Sequence, residues 1–266
     1  MKRICWEIIV SITREDEVLF HKVCERVIGN EYNKKGIGTL SEKTVHAVLK
    51  HYLVPIEQCH EIKCNGYVAD IMHDGEIIEI QTAQFNLLRK KLDVFLPKYD
   101  VTIVYPIPAI KWLIWIQEDT GEITKKRKST RNGRPGLIFP ELYKIKQYLD
   151  HPNLHLRIIL MEVEEYRLLN GWSKDKKKGS TRFDRIPVAL HDDIMISTID
   201  DYEYLLPDNL PEIFTSSDFG KASRITLKQG QTALNVLCYL GIIKKIGKSG
   251  RWIQYAKTQK RRQQYE

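Results

Sequence analysis

Between residues 66 and 81 the chain reads GYVADIMHDGEIIEIQ, two apolar runs joined by Asp74-Gly75. Asp-Gly is a strong signal for a two-residue hairpin turn, because both central residues of that turn need a positive φ, which Asp tolerates and Gly adopts freely. The turn fixes the register: His73 faces Glu76, Met72 faces Ile77, Ile71 faces Ile78 and Asp70 faces Glu79. Val68, Met72 and Ile77 then share one face, and Ala69, Ile71, Ile78 and Ile80 the other. Apolar groups on both faces exclude a water-exposed ribbon and require a sheet covered on both sides.

Inside such a hairpin two opposed carboxylates need compensation. Directly opposed β-carbons lie roughly 4.5–5.5 Å apart, and like charges there are destabilising. A divalent cation would compensate, and Gln81, two residues past Glu79, emerges on the same face as the pair. Clustered oxygen donors suit Mg²⁺ or Mn²⁺ rather than zinc. A bridging basic side chain is the other solution, with Lys43, Lys63 and Arg89 as candidates. Asp74 is turn chemistry.

Around the hairpin the pattern supplies further elements. Residues 39–53 read as a helix, with Val45, Val48, Leu49, Tyr52 and Leu53 at helical spacing and Pro55 after it. Residues 59–64 read as a strand. Residues 82–97 form a second amphipathic helix with Phe85, Leu88, Leu92 and Phe95 on one stripe, and the β-branched run 101–107 is a buried strand. Strands at 4–13, 111–117 and 154–166 and helices at 15–28 and 139–150 complete the reading. Two stretches, 125–134 and 174–185, each hold six basic residues with Gly and Ser or Thr, and read as exposed loops suited to phosphate contact.

Taken in order, helix, three strands, helix and strand, residues 40–107 resemble the core of the PD-(D/E)xK nuclease superfamily. In that family a helix acid, a strand aspartate and an acidic-x-Lys triplet hold one or two Mg²⁺ ions at the scissile phosphate. The resemblance implies that Glu42 is the helix acid, Asp70 the aspartate and Glu79 the first member of the triplet, so that Glu42, Asp70 and Glu79 hold Mg²⁺ or Mn²⁺. Gln81 completes this catalytic set where a lysine usually stands, as in certain restriction enzymes; its amide can orient a water but carries no charge. His46, one turn past Glu42, is placed to assist, and Lys63, Arg89, Lys90 and Lys91 to offset phosphate charge. Glu42 also closes a capping box with Thr39, a purely local role.

Residues 213–255 carry a separate pattern: a short helix, a longer helix with Leu227, Leu234, Leu237 and Leu240 in register, and a basic hairpin with its tip expected at 247–250. This resembles the winged-helix DNA-binding module. The resemblance implies DNA contacts by Lys228, Gln229, Gln231 and Asn235 on the longer helix and by Lys248 and Arg251 at the wing. Charge agrees: the chain carries +8, and eleven basic against four acidic residues lie from Pro207 onward, an asymmetry suited to a polyanion.

The expected fold class is therefore α/β (α+β): a restriction-endonuclease-like mixed sheet flanked by helices over residues 1–206, and a small winged helix over 207–266. No apolar run reaches the roughly 18 residues of a membrane span, and five scattered cysteines without a CxxC spacing indicate neither disulfides nor zinc. The expectation is a cytoplasmic, metal-dependent endonuclease acting on double-stranded DNA, with a homodimer as one way to cut both strands. A catalytically inactive DNA-binding protein or regulator on the same fold is the alternative, and a protein-docking role for the winged helix a third.

Overall fold

The computed structural model describes residues 9–10, 12–35, 43–117, 119–172 and 178–258. Strand β1 (Ile9–Val10) and helices α1 (Arg14–Lys35) and α2 (Lys43–Leu53) precede a meander of β2 (His60–Cys64), β3 (Tyr67–His73) and β4 (Glu76–Ile80). A 3₁₀ turn leads into α3 (Arg89–Phe95), followed by β5 (Asp100–Gln117), β6 (Arg127–Lys128) and α4 (Phe139–Leu142). Two long strands, β7 (Leu154–Trp172) and β8 (Lys178–Ile196), complete the main sheet.

Its continuous path is β1-β8-β7-β5-β4-β3-β2, with β6 pairing β5 as an eighth strand past the end of β4. The β4–β5 and β5–β7 pairs are parallel and the rest antiparallel. Helices cover both faces, as the doubly apolar hairpin requires. On one, Phe20 of α1 and Val45, Val48 and Leu49 of α2 pack on Ile71, Ile80 and Val104. On the other, Leu92 and Phe95 of α3 and Phe139 and Leu142 of α4 pack on Ile77, Ile103 and Ile158. No helix among the described residues is long and apolar enough to cross a membrane, and Cys24, Cys59, Cys64 and Cys238 are free thiols.

Several elements differ from the sequence reading. The strands expected at 101–107 and 111–117 are one strand, β5, despite Pro106 and Pro108. The Val104 carbonyl accepts the Gln81 N–H and the Pro108 carbonyl accepts the Gly133 N–H, so both prolines sit on the edge that β4 has just left. No ladder donor is lost there. The helix expected at 139–150 breaks after α4 into a 3₁₀ segment, with Ile145 outside helical geometry at φ −118°. Residues 178–185, read as loop, open β8 and pair with β7; residues 174–177 lie outside the described residues, as do 4–8.

Gly133 pins the first basic stretch to the sheet. A β-carbon there would fall inside contact distance of the Pro108 carbonyl and Ile107 Cγ2. Gly133→Ala is therefore expected to destabilise the chain by about 1–3 kcal/mol in urea melts; an unchanged midpoint would rule out this close approach.

The C-terminal segment folds as β9 (Ile213–Phe214), α5 (Ser216–Ala222), α6 (Leu227–Tyr239), β10 (Ile243–Ser249) and β11 (Trp252–Lys257), with strand order β10-β11-β9. Each helix starts at a capping box, Thr215 with Asp218 and Thr226 with Gln229. Pairing of Ser249 with Trp252 moves the hairpin tip to Gly250-Arg251 from the expected 247–250. Phe214, Phe219, Leu234 and Leu237 belong to the same buried cluster as α3 and α4, and the Phe219 ring meets that of Phe139 edge-on at 6.1 Å.

Candidate active site

The β3–β4 hairpin turns at Asp74 and Gly75, with φ of 49° and 83°, and its ladder pairs His73 with Glu76, Met72 with Ile77 and Ile71 with Ile78. There it stops. Asp70 is not the ladder partner of Glu79: its carboxylate Oδ2 accepts the Ile80 N–H at 2.8 Å, doing with a side chain what a backbone carbonyl would otherwise do. This corrects the picture of two carboxylates opposed on one face. Asp70 reaches α2, where His46 Nε2 lies 3.0 Å from Oδ2. Glu79 reaches α3, where Lys91 Nζ donates to both carboxylate oxygens at 2.9 and 2.7 Å.

The two carboxylates nevertheless feel each other. Burial raises the Glu79 pKa most, the Asp70 charge raises it further, and Lys91 offsets only part, leaving it pushed up to about 7. Burial also opposes ionisation of Asp70, but the His46 hydrogen bond and charge and the Ile80 N–H outweigh it and hold the carboxyl below its ordinary range. The pair is split: Asp70 is ionised at neutral pH, while Glu79 sits at the midpoint of its titration.

The other expected members are placed differently. Gln81 donates its side-chain N–H to the Ala83 carbonyl, so its amide is committed locally and does not join the carboxylates. Glu42 and its Thr39 capping box lie outside the described residues. Lys63 is exposed on β2 and Lys90 on α3. Arg89 Nε donates to the Lys144 carbonyl at 2.7 Å, away from the pair. The bridging cation is thus Lys91 rather than Lys63 or Arg89; the Lys43 side chain lies outside the described residues. The signal for it was in the stripe: Lys91 precedes buried Leu92 and lies three residues past Leu88, on the flank of the buried face of α3. Among the described residues no three His, Cys, Asp or Glu side chains are grouped to hold a metal.

On α6, Lys228 and Gln231 are exposed, whereas the Gln229 carbonyl oxygen is held by Thr226 at the helix cap. Asn235 Oδ1 accepts from Lys146 Nζ at 3.0 Å, and that ammonium also lies over the Tyr143 and Tyr239 rings at 5.4 and 5.1 Å. Asn235 is therefore tied to the sheet unit. Lys248 is exposed in β10 and Arg251 stacks on Trp252 at 5.1 Å.

A family model described as a domain of unknown function (DUF8091) matches residues 43–197, the span that holds His46, Asp70, Glu79 and Lys91. An uncharacterized protein of Treponema pallidum (strain Nichols) is 28% identical over 228 residues, covering 83% of this chain and 87% of that protein. No solved structure matches the chain.

Proposed function

We propose that this chain, which belongs to the DUF8091 family, is a metal-dependent nuclease of the PD-(D/E)xK type that hydrolyses DNA phosphodiester bonds at Asp70 and Glu79. The observation that carries this reading is the interrupted ladder. Two carboxylates from adjacent strands, one ionised and one held near pH 7, act on each other's charge where the strands part, one paired with an imidazole and the other with an ammonium. The surrounding order supports it: α2, the β2–β4 meander, α3 and a parallel β5.

Two carboxylate side chains are the oxygen donors on hand, the ligand type that a hard divalent cation takes. Buried Glu79 destabilises its own charge beside Asp70, and Mg²⁺ or Mn²⁺ held by these oxygens would remove that conflict. When bound, the cation supplies Lewis-acid polarisation of the phosphate. The chain's own residues do the rest. His46 orients the Asp70 carboxylate and offers Nε2 as a proton site. Lys91 supplies the positive charge that Gln81 cannot, next to where negative charge develops on phosphoryl oxygens. The C-terminal unit, read as a winged helix, would hold duplex DNA through Lys228, Gln231, Lys248 and Arg251.

A specific observation favours a second reading. Lys91 already pairs with Glu79, as it would in a non-catalytic DNA-binding protein or regulator on the same scaffold. Incubation of the chain with plasmid, linear and branched DNA in Mg²⁺, Mn²⁺ or EDTA separates the two. Cleavage that requires the metal is the expected result; binding indifferent to metal, with every substrate intact, establishes the second reading.

A further inference from the structure

Near the start of α2, strands β5, β7 and β8 carry a charge cluster that the hydrolytic pair does not use. Glu165 of β7 is only 3% exposed and faces three cations. Arg185 Nε of β8 donates to Oε2 at 2.9 Å, Lys111 Nζ of β5 lies 3.4 Å from that oxygen, and Arg167 Nε lies 3.7 Å from Oε1. Burial opposes ionisation of Glu165, yet the cations hold its carboxyl below the ordinary range. One carboxylate offsets one cation, so two positive charges are left over.

Among the described residues, the neighbouring acids have partners of their own. Glu162 accepts from Trp112 and lies near His191, and Glu164 accepts from Lys126 and Tyr166. Asp184, which accepts the Thr44 hydroxyl, and Arg182 add one charge of each sign. Lys111 registers the imbalance: burial lowers its pKa, Glu165 works against that, and the charges of Arg185 and Arg167 push it down again. The Arg167 Nε–H is buried and has no hydrogen-bond acceptor among the described residues. A purely structural ion pair leaves neither surplus charge nor surplus donors, because both are penalised when desolvated.

One cation of the cluster, Arg185, shares a cavity with residues that flank the candidate active site. A small cavity of about 30 Å³ brings Val45 and Thr82 together with Arg182, Asp184 and Arg185, over an apolar floor that includes Met161 and Val163. Val45 adjoins His46 and Thr82 adjoins Gln81. The first basic stretch approaches from the far side, where the Ser129 N–H donates to the Lys111 carbonyl at 2.8 Å.

The geometry points to a phosphate subsite: Lys111, Arg167 and Arg185, arrayed on Glu165, grip the backbone of the DNA strand whose scissile phosphate lies at Asp70 and Glu79. This rests on the reading of the substrate as DNA. Arg185 stays in place in the test, because Glu165 needs it. Lys111→Gln with Arg167→Gln is compared with the parent for binding of labelled duplex DNA in EDTA over a salt series, and for cleavage in Mg²⁺. The double variant is expected to lose about 2 units of the slope of log affinity against log salt, at roughly 0.9 per phosphate contact. It should also raise KM at least tenfold with kcat near that of the parent. Lys111→Arg with Arg167→Lys should restore both, which a merely disturbed strand would not. A folded double variant with the parent's slope and KM overturns the subsite while leaving hydrolysis intact. A parent that binds with the subsite-dependent slope but cleaves nothing overturns the hydrolytic reading and leaves the subsite standing. A parent that binds no DNA overturns both.

Discussion

Glu79→Gln is expected to abolish DNA cleavage and, at pH 8, to make the fold more stable. The carboxyl is pushed up to about 7 in the folded chain against 4.5 for an unperturbed glutamate. A group whose folded pKa is raised contributes stability that is complete below its unfolded pKa and lost as pH rises through the folded value. From pH 4.5 to above 7 the parent should therefore lose about 3 kcal/mol at this one position. Glutamine is neutral throughout and nearly isosteric, so the variant should lack that loss, with Lys91 left to Asp70 and solvent. Cleavage should fall at least 10²-fold, the scale of removing one group that stabilises transition-state charge.

Mg²⁺ provides a matching control. A cation bound only by the folded parent adds about 2.7 kcal/mol at a hundred times its dissociation constant, and the Gln variant should show much less of this. Urea melts of both proteins at pH 5 and pH 8, with and without MgCl₂, read all of it. A Gln variant less stable than the parent at pH 8, with no response of either to Mg²⁺, would mean that the Lys91 ion pair is the purpose of Glu79. The non-catalytic reading would then replace the hydrolytic one.

Phe219→Ala should produce the largest loss of stability. The ring is fully buried on α5 and meets Phe139 of α4, where the C-terminal unit joins the sheet. Removing a buried Phe ring costs about 3–5 kcal/mol through lost burial and the cavity left behind. In a chain of this size that lowers the melting midpoint by roughly 10 °C. Since one apolar cluster runs from Phe95 and Leu142 through Phe219 to Leu237, the whole chain should shift in one transition. Circular dichroism and tryptophan fluorescence should then coincide. Two separated transitions, with the sheet unmoved, would show the C-terminal unit to be energetically independent, and the Lys146–Asn235 link to be incidental.

The hairpin shows what local chemistry decides alone. Asp74-Gly75 dictates the turn, the turn dictates the pairing of Ile71 with Ile78, and apolar groups on both faces dictate helices above and below. These are short-range constraints, written within a dozen residues, and the same holds for the capping boxes that start α5 and α6. Tertiary structure decided the rest. It set where β4 ends, and hence why Pro106 and Pro108 lie within a strand. It turned Asp70 out of the ladder toward His46, selected Lys91 over Lys63 and Arg89, and bound Gln81 to Ala83. It gathered Lys111, Arg167 and Arg185 around Glu165 from three strands. No sequence period encodes those meetings, because desolvation and charge pairing act between residues that become neighbours only when the sheet closes.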